Sequence, residues 1–255
     1  MTQRLNDKTA LVTGATGSIG HAIAVALAAE GAHVIVSGRD VARGEAAAAT
    51  IGARGGRADF VRADLTGSAA ASRALAEQSL ERLGGRMDVL VNNAGVFPAH
   101  STQTADDELF ERIYGVNVKA PFFLTQAIVP TMIAAGGGSV INLGSWVARL
   151  SVPSSPLYSS SNGAVETLTR AWAAEFGARG VRVNAISPGV IRPSALDPAT
   201  AFPGDVLMAG SPAGRPGHPD AIAAAAVYLA SDESSFVHGT VIDVDGGRAS
   251  VHSAA

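Results

Sequence analysis

The chain has no cysteine among its 255 residues, which excludes disulfides, thiolate metal sites and a cysteine nucleophile. A domain of this size does not depend on disulfides, so their absence is neutral about compartment. An excess of one charge is also missing: 19 Lys and Arg, interspersed with 22 Asp and Glu, give a net charge of −3. That balance offers no basic face for nucleic acid or an anionic membrane. Long apolar runs are absent too. The first run, Thr9 to Val12, is far too short for a signal sequence or a membrane span, and Met1 to Lys8 before it is polar. A cytoplasmic protein is expected. The histidines, at 21, 33, 100, 218, 238 and 252, include no pair with metal-ligand spacing on an obvious helix. They read as surface or cap residues, and no metal site is expected.

What is present is a 47% apolar composition without a break, as expected of one domain over residues 1–255. Short apolar, β-branched runs read as strands: Ala10–Thr13, Val34–Ser37, Phe60–Ala63, Val89–Asn92, Val140–Leu143, Val181–Ile186 and Thr240–Val244. They alternate with helix-length segments, the pattern of an α/β Rossmann fold with a doubly wound parallel sheet of about seven strands. The alanine runs at 46–49 and 223–226 fit closely packed helices. The rhythm breaks at about 191–219, where Pro193, Pro198, Pro203, Pro212, Pro216 and Pro219 mingle with apolar Leu196, Phe202, Val206, Leu207 and Met208. A long connection at the carboxyl edge of such a sheet reads as a substrate lid, with a plain surface loop as the alternative.

Strand one runs into Thr13-Gly14-Ala15-Thr16-Gly17-Ser18-Ile19-Gly20, followed by a helical segment. Glycines there let backbone N–H groups approach a phosphate at a helix N-terminus. A glycine cluster alone fits a structural turn equally well, but its position in a βαβ unit favours a nucleotide site formed by Gly14, Thr16, Ser18, Ile19 and Gly20. Strand two ends in Ser37-Gly38-Arg39-Asp40. Gly38 stands where an NAD-binding protein would carry an acid, and the Arg39 guanidinium suits a 2′-phosphate. NADP(H) is therefore favoured over NAD(H), with Ser37 as a second phosphate contact. Asp40 reads as the N-cap of the next helix, though a shift of one residue would reverse the assignment.

Further along stand Asp64-Leu65 after strand three, Asn92-Asn93-Ala94-Gly95 after strand four and Asn117 in Gly-Val-Asn-Val. Ser145 follows strand five, 13 residues before Tyr158, and Pro188-Gly189-Val190-Ile191 follows strand six. In order and spacing, from Lys8 to Gly247, these motifs resemble the short-chain dehydrogenase/reductase family. The resemblance implies that Tyr158 exchanges a proton with the substrate oxygen while Ser145 orients and polarises the carbonyl. Asn117 would kink its helix and hold a water, and the side chain at 162 would hold the nicotinamide ribose. Asp64 would meet the adenine amino group with Leu65 beside the ring, Asn92 would bridge strands, and Ala94 and Gly95 would leave room for the adenosine ribose. Pro188 and Gly189 would pass the nicotinamide face, shielded by Val190 and Ile191.

Three positions depart from that pattern. The family's lysine is replaced by Asn162, its middle loop glycine by Ser18, and a common threonine by Pro193, leaving Ser194 or a backbone amide to hold the carboxamide. A phenol ionises near pH 10 and a neighbouring cation lowers that by roughly 1 to 3 units. At about 1.4 kcal/mol per unit, losing the cation costs roughly ten- to a thousandfold in rate. The expectation is a slowed NADP(H)-dependent oxidoreductase acting on a small carbonyl or alcohol, with Trp146, Val147, Phe97 and the lid pointing to a hydrophobic substrate. Two other readings fit the same residues: a non-catalytic nucleotide-binding or regulatory protein, and a lysine-substituted variant of an ordinary enzyme. The resemblance also implies a homotetramer or homodimer, built through the helices of Asn117 and Tyr158, where Ala164, Leu168, Ala171 and Trp172 offer an apolar face. Residues Arg248 to Ala255 are expected to pack on a neighbour or to be loose.

Overall fold

The apolar runs become strands β1 (Thr9–Thr13), β2 (His33–Gly38), β3 (Arg57–Arg62), β4 (Val89–Asn92), β5 (Gly138–Leu143), β6 (Val181–Pro188) and β7 (Val241–Val244). They pair in parallel in the order β3-β2-β1-β4-β5-β6-β7. This computed structural model describes residues 3–150, 155–197 and 199–251; Pro198, His252 and the last three residues, named above, lie outside that range. β3 begins at Arg57, ahead of its apolar run, because polar side chains are tolerated at a sheet edge. There His33 Nε2 meets Asp59 Oδ2 at 2.7 Å across the strand pair.

The intervening segments form helices α1 (Ser18–Ala29), α2 (Val41–Ala53), α3 (Ala69–Arg82), α4 (Asp107–Tyr114), α5 (Ala120–Ala134), α6 (Pro156–Phe176), α7 (Gly204–Met208) and α8 (Pro219–Ala230). Asp40, Ser68 and Asp106 cap α2, α3 and α4 by accepting from Arg43, Ala71 and Leu109 N–H groups. One core layer buries α1, α2 and α8 against Val12, Val34, Val36 and Ile186. The other buries α3, α5 and α6 against Leu11, Ile35, Leu90 and Val183. Strands with both faces covered are mainly apolar, as the sequence pattern requires, with buried Asn92, Asn142 and Asn184 among the exceptions.

The chain winds from β1 outward to β3, then returns to lay β4 beside β1. The carboxyl ends of β1 and β4 therefore flank the crevice where such sheets take ligands. Beyond β6, the 191–219 segment carries the short helix α7 and is closed at its base by a parallel bridge between Ile191 and Gly217. Arg192 N–H donates to Gly217 O and Gly217 N–H to Val190 O, both at 2.9 Å.

Candidate active site

The ends of β1 and β4 are locked together. Thr13 Oγ1 accepts from the N–H groups of Asn93 and Ala94, both at 3.0 Å. Asn93 Nδ2 donates to Thr13 O at 2.8 Å and Gly14 O at 3.2 Å. Asn92 Nδ2 donates to Asn142 Oδ1 at 2.9 Å and Thr125 Oγ1 at 3.2 Å, bridging β4 to β5 and to α5. Gly14 has φ +64, and a Cβ there would lie 3.0 Å from Ala94 Cα. Ser18 occupies the left-handed region at φ +45, which explains why the family places glycine at this position. Gly17 caps α1 without a side-chain hydrogen bond, and the first turn carries no acid. The N–H groups of that turn lack helical acceptors and face outward with the positive end of the dipole, so the loop fits a pyrophosphate.

At the end of β2, a Cβ on Gly38 would collide with the Thr16 side chain, so an acid there has no room without displacing Thr16. Arg39 is exposed, and Arg62, its neighbour across the β2–β3 pairing, donates through Nε to Arg39 O at 3.3 Å. Arg43, one turn into α2, reaches back to Thr16 O at 3.1 Å. Ser37 is 1% exposed, which closes it to a phosphate, because its strand position turns the side chain into the sheet's packed face. The groups standing open beside Arg39 are Arg43 and Arg62. The register Gly38 to Arg62 and the one-turn spacing from Asp40 to Arg43 could have signalled both. Asp64 is exposed beyond β3, with Leu65 buried in the core beneath it.

The sheet's next crevice holds the polar residues implied as catalytic. Ser145 leaves β5 and opens a short 3-10 turn, its Oγ accepting weakly from Val147 N–H at 3.5 Å. Tyr158 lies in the first turn of α6, its ring 6.0 Å from that of Phe97 and tilted 52°. Asn162, one turn on, is buried and donates Nδ2 to the Tyr158 backbone carbonyl at 2.8 Å. Asn117 lies in a π-helical turn, Gly115–Lys119, that offsets α4 from α5. Its Oδ1 accepts from Val96 N–H at 2.9 Å, while Nδ2 donates to Val96 O at 3.0 Å and Ser161 Oγ at 3.1 Å. Its amide therefore ties the β4 loop to α6.

Burial pushes the Tyr158 phenol above its ordinary pKa, and the nearby Ser145 hydroxyl and Asn162 amide draw it back only in part. The residue as a whole is half-buried. Arg149, four residues after Ser145, brings a cation to this region, but two carboxylates hold it. Its Nε lies 3.3 Å from Glu166 Oε1, and its outer nitrogens grip both oxygens of Asp243. After β6, Gly189 N–H donates to Val244 O at 3.0 Å, and a Cβ on Gly189 would lie 2.6 Å from Asp245 Cα. The backbone at Gly189 thus passes close to the end of β7, with Ile191 packed on the core layer behind it.

Among the histidines, His218 caps α8 as expected, its Nδ1 accepting from Asp220 N–H at 3.4 Å. His100 instead sits partly buried between the β4 loop and α6, with both ring nitrogens engaged. Arg248 stacks over the Trp146 ring at 5.4 Å, so the start of the C-terminal segment packs within its own chain.

A family model described as enoyl-(acyl carrier protein) reductase matches residues 14–249. The chain is 39% identical over 250 residues to galactitol 2-dehydrogenase (L-tagatose-forming) of Cereibacter sphaeroides, covering 96% of each. It is 38% identical over 248 residues to D-threitol dehydrogenase of Mycolicibacterium smegmatis, covering 96% of this chain and 94% of that one. Its fold superposes with a TM-score of 0.89 on a blue fluorescent protein from a metagenomic library in complex with NADPH, at 35% identity over 97% of this chain and all of the other. A glycine-rich loop at the β1–β4 crevice, a serine–tyrosine pair at the next strand end and relatives of this kind lead to one conclusion: the chain belongs to the short-chain dehydrogenase/reductase family and is an NAD(P)-dependent oxidoreductase of alcohols and carbonyls.

Proposed function

We propose that the protein is an NADP(H)-dependent reductase of a small ketone, or dehydrogenase of the matching secondary alcohol, slowed by Asn162. The observation that carries this reading is the Tyr158 phenol beside the Ser145 hydroxyl at the carboxyl end of β5, a proton donor and an orienting group in one place. When bound, the nicotinamide would supply or take up hydride at the substrate carbon. Ser145 Oγ would donate to the substrate oxygen and fix its direction, and Tyr158 would give that oxygen its proton as negative charge develops. In the reverse direction Tyr158 must first lose its proton, which Asn162 does little to assist. Binding of the 2′-phosphate would fall to Arg39, with Arg43 and Arg62 beside it, and the collision awaiting any side chain at Gly38 supports NADP(H).

Phe97 at 75% exposure, Val206 at 79% and Leu207 at 43% support an apolar mouth to the site. A groove of about 500 Å³ on the outer side of α5 and α6, lined by Phe122, Phe123, Ala164 and Leu168, lies on the helix face opposite Asn162. It supports assembly as a homodimer or homotetramer through these helices. Among the described residues no helix is long and apolar enough to cross a membrane.

The test is turnover by the purified protein with NADPH and with NADH against secondary alcohols, polyols and ketones, alongside Tyr158→Phe. NADPH should serve better, and the phenylalanine variant should lose about a hundredfold or more in turnover while still quenching or enhancing NADPH fluorescence on binding. Full turnover in the variant would remove Tyr158 from the proton path.

A further inference from the structure

The helix that carries Tyr158 starts without a cap of its own. Its first residue, Pro156, has no N–H, and the N-cap residue Ser155 makes no side-chain cap bond. The serine hydroxyl donates elsewhere, to Pro98 O at 3.2 Å. The N–H of Leu157 has no acceptor within the helix at that position. It donates to His100 Nε2 at 3.2 Å, across 57 residues of sequence. An imidazole nitrogen accepts only when the proton sits on the other one. The other, Nδ1, lies 2.9 Å from Pro98 O, which accepts that proton and so fixes the tautomer.

The same segment restrains the backbone just before the helix. Ser155 has φ +110, a conformation that a residue with a side chain adopts only under restraint. Its N–H donates to His100 O at 2.9 Å, and its hydroxyl is the one bound to Pro98. Phe97, at the head of this segment, is the ring that meets Tyr158. Residues 97–100 thus touch the helix start at Ser155, Leu157 and Tyr158.

We propose that His100 is a positioning residue for Tyr158: its imidazole supplies the missing helix cap and holds the strained entry to α6, which aims the phenol at Ser145. The inference rests on the proton-donor reading of Tyr158 for its effect on turnover, but the capping itself does not. Loss of the acceptor would free the Leu157 N–H, let the first turn of α6 fray and carry the phenol out of line, where a displacement of about 1 Å costs on the order of a hundredfold.

The experiment compares the wild-type protein with His100→Leu, which has no acceptor, and His100→Gln, whose side-chain oxygen can reach the place of Nε2. Backbone amide hydrogen exchange at Leu157, kcat, and the Kd of NADPH are measured for each. Expected are a protected Leu157 amide in the wild type, and rapid exchange with at least a tenfold fall in kcat at unchanged NADPH Kd in the leucine variant. Glutamine should recover most of both. Free exchange of Leu157 in the wild type would overturn the proposal, even if the leucine variant failed to fold. Equal losses in the leucine and glutamine variants, or full kcat in the leucine variant, would overturn it as well. Should Tyr158→Phe keep full turnover, the proton-donor reading falls while protection of Leu157 still reports the cap.

Discussion

Asn162 gives its side-chain amide to the backbone carbonyl of Tyr158, one helical turn earlier, at 2.8 Å. The residue best placed to assist the phenol therefore brings an amide dipole shared between the main chain and the phenol, and no charge.

Because burial raises the Tyr158 pKa, the acid form persists through the neutral range and reduction is supported at every pH below about 10. Alcohol oxidation needs the base form, so its rate should keep climbing with pH beyond that ordinary value. Asn162→Lys should move the oxidative limb down by roughly 1 to 3 units and raise kcat near neutrality. A kcat–pH profile in both directions checks this; an unmoved limb would mean that the proton comes from elsewhere.

Arg39→Ala should weaken NADPH at least about tenfold, or about 1.4 kcal/mol, and leave NADH nearly unchanged. Titration of cofactor fluorescence reads the difference directly. Equal weakening of the two would remove the 2′-phosphate from Arg39.

Gly44 is buried in α2 with the Phe60 ring filling the space where a Cβ would lie. Gly44→Ala is expected to destabilise the fold by about 1 to 3 kcal/mol through overpacking. The thermal midpoint should fall by about 2 to 4 °C for each of those kcal/mol, as a melting curve followed by circular dichroism would register.

Arg192 gathers the 191–219 segment around one guanidinium. It donates to Asp197 O at 3.2 Å and to Thr200 O, lies 3.6 Å from Asp205 Oδ1 and stacks over Phe202 at 5.4 Å. Arg192→Ala should raise the substrate KM about tenfold with NADPH affinity retained. Limited proteolysis should then cut between residues 193 and 210 sooner than in the wild type.

The strands were readable because their signal is local: an apolar, β-branched run between polar turns needs no knowledge of its neighbours. β3 was read short because Arg57, Ala58 and Asp59 join the sheet only through pairing with His33, Val34 and Ile35. The cap at Asp40 was likewise local, whereas Arg62 enters the cofactor region by strand register. Ser37 was misjudged because a strand-end residue looks the same in sequence whether it faces the crevice or the packed layer. The length of the 191–219 connection was plain from its prolines, but α7 within it and the arginine at its centre depend on contacts among residues of that segment. His100 was invisible for the strongest reason: its partner lies 57 positions away and no motif surrounds it.

The bridge between Ile191 and Gly217 makes the chain inside it an exchangeable cassette. With both ends stapled at one point of the sheet's rim, a longer or shorter insert meets the same two anchors, and doubling its length costs only about 0.6 kcal/mol in closure entropy. Grafting another segment between these anchors would leave in place the strands beneath, the turn after β5 that holds Ser145 and the helix α6 that holds Tyr158. The length and sequence of this segment can therefore vary with little consequence for the stability of the sheet that anchors it.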